Sequence, residues 1–196
     1  MDNRSVEKWI EFYRPFFGSD EEVKSFVKRC EELPPENNTA KIMMHQTQRL
    51  VTIADDIIKI KPGRYSLQIL FLIICAECIA KLFDGYKEEG KSKQYVKSFF
   101  DKFLSNKDKR GFEDSFSDVN MNNLGFDKTV ELLYEIRCNV VHEGKYWDFT
   151  FNENDCPMLS IIDSQTITVY LSYQDLRGFV IRGCIGAISD KLSKKG

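Results

Sequence analysis

Histidine is scarce in this chain, and neither sign of charge prevails. The 196 residues contain two histidines, His45 and His142, and 28 lysines plus arginines stand against 30 acidic residues, a formal net charge of −2. This near balance excludes a polybasic nucleic-acid coat and an acidic tail, so any anionic partner must be bound locally. Two histidines also disfavour a histidine-rich catalytic metal site. We therefore expect no metal and no cofactor, although counting leaves carboxylate sites for Mg²⁺ open.

The cysteines lack the clustered spacing of a zinc ribbon or a small disulfide scaffold. Cys75 and Cys78 form a C-x-x-C pair, but their neighbours are apolar, so we interpret them as core residues rather than a redox pair. The first ten residues contain neither a basic leader nor an apolar secretory segment, and we expect a cytoplasmic protein. The six cysteines are Cys30, Cys75, Cys78, Cys138, Cys156 and Cys184.

No apolar run has the length and composition of a membrane span. The most apolar segment, Ile69 to Phe83, covers roughly 15 residues and contains Glu77 and Lys81. A bilayer requires about 20 predominantly apolar residues. We predict a core helix here and no membrane partner.

Hydrophobic periodicity predicts a mainly α fold in a single domain over 1–196. Residues 1–35 are expected to form an N-terminal helical extension, in which Ser19 and Glu22 match a capping box. Further helices are predicted from Thr39 to the Pro62-Gly63 turn and over 66–83, 91–104, 126–141 and 174–192.

Two segments of the chain lack helical spacing. Residues 105–123 are polar and aperiodic, and we expect a loop there. A small β-hairpin insertion is predicted over 147–173, before the last helix, from alternating and β-branched residues. Its strands are expected at 147–151 and 166–173, and 159–162 is a candidate for a third short strand.

The two histidines differ in their predicted surroundings. At 100° per residue, His45 lies about 160° from the middle of the apolar stripe of its helix, which predicts a solvated surface residue. His142 lies at the end of the helix over 126–141, directly before Glu143-Gly144. It therefore lies where a helix enters a glycine turn.

Arg137 falls within the apolar arc of the same helix, where a cation is unexpected. A buried arginine is normally paired with a carboxylate or lies in a cleft where it binds an anion, and a third option is that it snorkels to the surface. Glu77, in the middle of an apolar run, also needs a partner, and Lys81 lies at i+4. Both a structural Glu77 ion pair and an orienting role of Glu77 towards Arg137 remain open.

The segment Arg137-Cys138-Asn139-Val140-Val141-His142 resembles the HEPN family, small helical-bundle domains whose ribonuclease members carry an Arg-x(4–6)-His motif late in a bundle helix. The resemblance also covers the apolar helix with Glu77, the basic helix after it and the final amphipathic helix. It implies an up-and-down bundle, with Arg137 and His142 as catalytic residues and Asn139, Glu77 and Cys138 in supporting roles. Many active members have a polar residue directly after the arginine, whereas this chain has Cys138.

The resemblance further implies metal-independent RNA cleavage in a composite site formed by two copies of the chain. The residue chemistry agrees with it. A histidine with a pKa of about 6.5 can accept a proton from a ribose 2′-hydroxyl or donate one to the leaving 5′-oxygen, and arginine can bind the phosphate bidentately. The expected products are a 2′,3′-cyclic phosphate and a 5′-hydroxyl.

Charge is unevenly distributed along the chain. Residues 87–110 contain eight cations and four acids, a net +4, whereas residues 111–163 contain eleven acids and three cations, a net −8. Lys91, Lys93 and Lys97 are therefore candidate RNA-binding residues, although a solvated basic face would have the same composition.

The sequence leaves three hypotheses for function. The first is a homodimeric HEPN-type endoribonuclease that binds RNA, such as a toxin or defence effector, with an antitoxin or a nucleotidyltransferase-like protein as a possible partner by family analogy. The second is a non-catalytic HEPN-like module that binds a nucleotide or a protein. The third is a purely structural helical protein in which the motif is accidental.

Overall fold

Eight helices and three short strands are found in the computed structural model, which describes residues 3–86, 90–154 and 156–193. The helices are α1 (Asn3–Tyr13), α2 (Asp20–Glu31), α3 (Thr39–Ile60), α4 (Tyr65–Asp84), α5 (Ser92–Phe103), α6 (Asn106–Glu113), α7 (Gly125–Cys138) and α8 (Tyr173–Ser193). The strands are β1 (Phe116–Ser117), β2 (Met158–Ile162) and β3 (Gln165–Val169). The predicted mainly α fold, with a small hairpin before the C-terminal helix, is confirmed.

Helix α4 lies at the centre of the bundle, in contact with α3, α5, α7 and α8. Its length and composition would allow it to span a membrane, but 61% of its most apolar window is buried inside the protein. This burial is typical of the core helix of a soluble protein and agrees with the predicted core helix. The prediction that no apolar run has the length and composition of a membrane span is wrong, because α4 extends beyond Ile69–Phe83 to Tyr65–Asp84. The helix ends at Gly85, whose φ of +79° is the left-handed conformation that glycine adopts without strain.

The N-terminal helices pack against the bundle through α3. Ser19 begins α2 as predicted, because its side chain accepts a hydrogen bond from the Glu22 N–H at 3.2 Å. The Glu22 carboxylate accepts from the Gly18 N–H, so the reciprocal bond of the capping box is displaced by one residue. Tyr13 is fully buried and donates to the carbonyl of Met44. Helix α1 is thereby joined to the common core.

The predicted loop over 105–123 is wrong. Helix α6 and strand β1 occupy most of it. The Ser105 side chain caps α6 by accepting from the Asp108 N–H at 3.1 Å. Phe112 is fully buried, and its ring is stacked on that of Phe100. One apolar anchor holds this otherwise polar helix, which is too little for hydrophobic periodicity to reveal it.

The predicted first strand of the hairpin is also wrong, because residues 147–151 form no strand. Phe149 and Phe151 are both buried in this segment, and the N–H of Thr150 donates to the Ser160 side chain. The candidate third strand at 159–162 is the one that pairs with β3, and β1 adds to the other side of β3. The β2–β3 turn is formed by Asp163 and Ser164, which have φ values of +45° and +67°.

Candidate functional site

Glu77 is the centre of a polar cluster at the buried side of the motif. One carboxylate oxygen accepts from Lys81 Nζ at 2.5 Å and from Ser92 Oγ at 2.6 Å, and the other lies 3.4 Å from Arg137 Nη2. The side chain is 8% exposed. Burial by itself would raise the pKa of Glu77, but the hydrogen bonds from Lys81 and Ser92 and the two cationic charges outweigh it and lower the pKa. Glu77 is therefore held as a carboxylate that connects α4, α5 and α7.

Arg137 is half-buried, with 16% of its side chain exposed, and Glu77 is its carboxylate partner. Its Nε is buried without a hydrogen-bond partner among the described residues, and its Nη1 lies 4.0 Å from Cys138 Sγ. The guanidinium lies 5.5 Å from the centroid of the Tyr134 ring. A guanidinium has five N–H donors. Glu77 therefore orients Arg137 while leaving donors for a further anion.

His142 lies within a single π-helical turn, Asn139–Glu143, which begins two residues after Arg137. The predicted α-helix instead ends at Cys138. Gly144, with a φ of +65°, donates its N–H to the Asn139 carbonyl and closes the turn. Residues five apart in an α-helix lie about 140° apart around the axis. Because a π-turn bonds to the carbonyl five residues back, each residue in it advances by less than the 100° of an α-helix, which reduces this ideal angle.

His142 is exposed to solvent on this turn. Arg137 and His142 thus occupy different environments: the arginine is anchored below the surface, whereas the histidine lies on it.

The two residues after Arg137 have separate contacts. Asn139 is 9% exposed, and its side-chain N–H donates to Asp163 of the hairpin turn at 3.0 Å. Its amide group therefore contacts the hairpin. Cys138 is half-buried beside Tyr134, and burial together with Cys138 raises the pKa of that tyrosine.

The three candidate RNA-binding lysines line one surface cavity of about 320 Å³. Lys93 and Lys97 also form exposed ion pairs of 3.0 Å with Glu131 and Asp127. The cavity is lined by Gly90, Lys91, Lys93, Gln94, Lys97 and Tyr134. Residues 87–89 of the basic segment lie outside the described residues.

Tyr134 joins this cavity to the motif, since the same side chain lies beside the Arg137 guanidinium. The sequence did not indicate this contact, because Tyr134 was predicted only to belong to the apolar face of its helix. Its position three residues before Arg137 places the two side chains on one helix face, and that spacing could have indicated the contact.

His45 is not the solvated surface residue that the sequence predicted. Its side chain is 21% exposed, and Nε2 lies 2.5 Å from Glu31 Oε1. The ring is stacked on Trp9, with centroids 4.1 Å apart. The prediction was wrong because the outer face of α3 is covered by α1 and α2, which the apolar stripe of α3 alone does not reveal.

No cluster of three or more histidine, cysteine and acidic side chains suited to a metal ion occurs among the described residues. No family model, curated protein or solved structure matches this chain. The resemblance to the HEPN family therefore stays a prediction.

Proposed function

We propose that this protein is a metal-independent, HEPN-type endoribonuclease with Arg137 and His142 as its catalytic residues. The observation that carries the proposal is the π-turn that contains the exposed His142 and follows the anchored Arg137, because a π-turn reduces the angle between residues five apart. An uninterrupted α-helix would place the two side chains about 140° apart. A local backbone feature of this kind is frequent at functional sites.

The proposed reaction is transesterification within the RNA. The neutral imidazole of His142 accepts the proton of a ribose 2′-hydroxyl, and the 2′-oxygen forms a bond to the adjacent phosphorus. The bond from phosphorus to the 5′-oxygen breaks, and a protonated imidazole donates a proton to that oxygen. Arg137 binds the phosphate oxygens as charge develops on them. The products are a 2′,3′-cyclic phosphate and a 5′-hydroxyl.

Each chain has one imidazole at this site, so we propose that the second comes from the partner subunit's His142. The surface around the motif has the character of a protein contact, because large apolar side chains next to it are exposed. Val141, Tyr146 and Trp147 have 49%, 37% and 57% of their surfaces exposed. A second copy of the chain would cover them while bringing the two sites together.

The substrate path in this proposal runs over the lysine-lined cavity. Phosphates of a single strand would bind Lys91, Lys93 and Lys97, and Tyr134 offers a ring for a base between them and Arg137. The ion pairs of Lys93 and Lys97 are exposed, and such pairs contribute only about 0–1 kcal/mol, so a phosphate can replace the carboxylates.

The free cysteines fit the reducing cytoplasm, where we place the protein.

The second candidate function is a non-catalytic module that binds a nucleotide in the same cavity. Two observations favour it: the residue after the arginine is Cys138, and the Asn139 amide contacts Asp163. Both remove a polar group that many active family members place beside the arginine.

An RNA cleavage assay in EDTA tests the proposal, with wild type, Arg137→Ala, His142→Ala and the control His45→Ala. General acid–base catalysis contributes about 10²–10⁴-fold, so both motif variants should lose at least 100-fold in rate and His45→Ala should cleave RNA normally when folded. Wild-type products should end in a 2′,3′-cyclic phosphate. Equal cleavage by all four proteins, or loss of wild-type cleavage in EDTA, would contradict the mechanism. RNA binding without cleavage would favour the second candidate.

A further inference from the structure

The tip of the β-hairpin contacts the turn that carries His142. Asp163 and Ser164 form this tip between β2 and β3, where Ile162 pairs with Gln165. Asp163 Oδ1 accepts a hydrogen bond of 3.0 Å from the side chain of Asn139, the first residue of the π-turn. The two residues are 24 positions apart in the chain. A tertiary contact thus joins the hairpin to the proposed site.

Asn139 also closes the π-turn with its main chain. Its carbonyl accepts from the N–H of Gly144 and, at 3.1 Å, from the N–H of Lys145. The side chain of Asn139 is held from the hairpin, and its carbonyl is held by the residues just after His142. Whatever fixes Asn139 therefore limits where the His142 imidazole can lie.

An aspartate at the hairpin tip has a cost that other turn residues would avoid. Left-handed positions in two-residue turns accept Asn, Asp and Gly alike. Asp163 adds a negative charge close to Glu135, and the pKa of Glu135 is raised first by burial and then by Asp163. The nearby amine of Lys145 is paired with Glu143 at 2.5 Å and is influenced by the charge of Asp163 only weakly. What the aspartate provides in return is a charged acceptor for the Asn139 amide, which makes a stronger hydrogen bond than a neutral one.

We propose that Asp163 is a positioning residue, which holds Asn139 and thereby fixes the π-turn so that His142 meets the RNA in a reactive position. The inference rests on the proposed ribonuclease function. Asp163 does not touch the substrate; it acts through Asn139. The tip of the hairpin thereby stabilises the turn that carries His142.

Three substitutions separate this role from the shape of the turn. Asp163→Gly keeps the left-handed backbone and removes the acceptor, whereas Asp163→Asn keeps both the conformation and an acceptor oxygen. Ser164→Gly alters the neighbouring left-handed residue and is the matched control. A displacement of about 1 Å can reduce a rate 100-fold, so we expect Asp163→Gly to lower kcat 10- to 100-fold with KM nearly unchanged. Asp163→Asn should stay within a few-fold of wild type, and Ser164→Gly should equal it.

Amide hydrogen exchange tests this stabilisation of the π-turn without a measurement of RNA cleavage. The amides of Gly144 and Lys145 should exchange at least tenfold faster in Asp163→Gly than in wild type, and at the wild-type rate in Ser164→Gly. Wild-type exchange and kcat in Asp163→Gly would overturn the inference and leave the proposed function intact. Equal losses in Asp163→Asn and Asp163→Gly would overturn it as well. Absence of cleavage by wild type would instead overturn the proposed function and with it the catalytic role of Asp163, whatever the exchange rates.

Discussion

Glu31 and Glu77 are two buried carboxylates with different neighbours. Glu31 lies 2.9 Å from Lys41 and 2.5 Å from His45, and Trp9 covers the imidazole by stacking on it. The polar groups of this centre contact each other, and α1 closes it from outside. It holds the N-terminal helices on α3 and leaves the imidazole little access to a substrate.

The centre at Glu77 differs in that no histidine belongs to its ion pairs among the described residues. Its carboxylate anchors Arg137, but Glu77 is the only acid paired with that guanidinium among the described residues, and the Nε has no hydrogen bond there. His142, five residues after Arg137, is exposed on the π-turn and has no ion pair among the described residues. The comparison shows that a buried glutamate next to cations does not by itself indicate function. The exposed imidazole five residues after Arg137 distinguishes the candidate site.

Removal of either buried carboxylate is expected to cause the largest loss of stability. Glu31→Ala and Glu77→Ala should each lower the free energy of unfolding by about 3 kcal/mol, because each leaves partly buried cations without their partner. Only Glu77→Ala should also reduce RNA cleavage, since it frees Arg137. Urea denaturation and the cleavage assay measure the two effects. The control is Glu131→Ala, which breaks an exposed pair with Lys93 and should change stability by less than about 1 kcal/mol.

The pH dependence of unfolding provides a second check on Glu77. Its pKa is lowered below the ordinary 4.5, so the folded state binds a proton less readily than the unfolded state. The resulting stabilisation is complete above the unfolded pKa and is lost as the pH falls through the lowered folded pKa. The stability difference between wild type and Glu77→Gln should therefore shrink on acidification below about pH 4.5. A difference that is constant from pH 7 to pH 3 would contradict the ion-pair role.

A smaller effect should distinguish the two histidines. His45→Ala should lower the free energy of unfolding by about 1–2 kcal/mol, since it removes the hydrogen bond to Glu31 and the stacking on Trp9. His142→Ala should change it by less than about 0.5 kcal/mol, because the side chain is exposed. Thermal or urea unfolding measures both. The comparison would fail if His142→Ala were the more destabilised protein.

The smallest expected change is in RNA affinity, when the lysines that line the cavity are replaced one at a time. Replacing Lys91, Lys93 or Lys97 by Gln should weaken binding of single-stranded RNA and reduce the salt dependence of log K by about 0.7 per lysine. Titrations at several salt concentrations, in the His142→Ala background to prevent cleavage, measure this. Lys28→Gln, in an exposed pair with Glu32, is the matched control and should not change the slope. Equal slopes in all variants would remove the cavity from the proposed RNA path.

The helices were the most predictable part of the fold. Gly85 ends α4 and Ser19 begins α2 as expected, because caps and glycine positions act within a few residues. Helix α6 was missed because its burial depends on Phe112 alone. The segment at 147–151 alternates like a strand, and Phe149 and Phe151 both pack inward as they would in one, but it forms no strand. Alternation alone cannot distinguish a strand from an extended segment that has no neighbour to pair with.

The candidate site divides along the same line. The sequence predicted that Arg137 needs a partner and named Glu77, because a cation in an apolar arc and an acid in an apolar run pose the same electrostatic problem. It could not predict the burial of His45, since the helices that cover it are brought there by the core packing of Tyr13 and Val27.

The helical pattern, the central apolar helix and the need for a buried ion pair could be predicted from the amino-acid sequence. They follow from short-range periodicity and charge. The tertiary structure alone decided which histidine is covered and which is exposed. It also decided that Asn139 bonds to Asp163 and that a π-turn precedes Gly144. The covering of His45 and the bond from Asn139 to Asp163 depend on contacts between residues that are distant in the chain, and local preferences do not specify them.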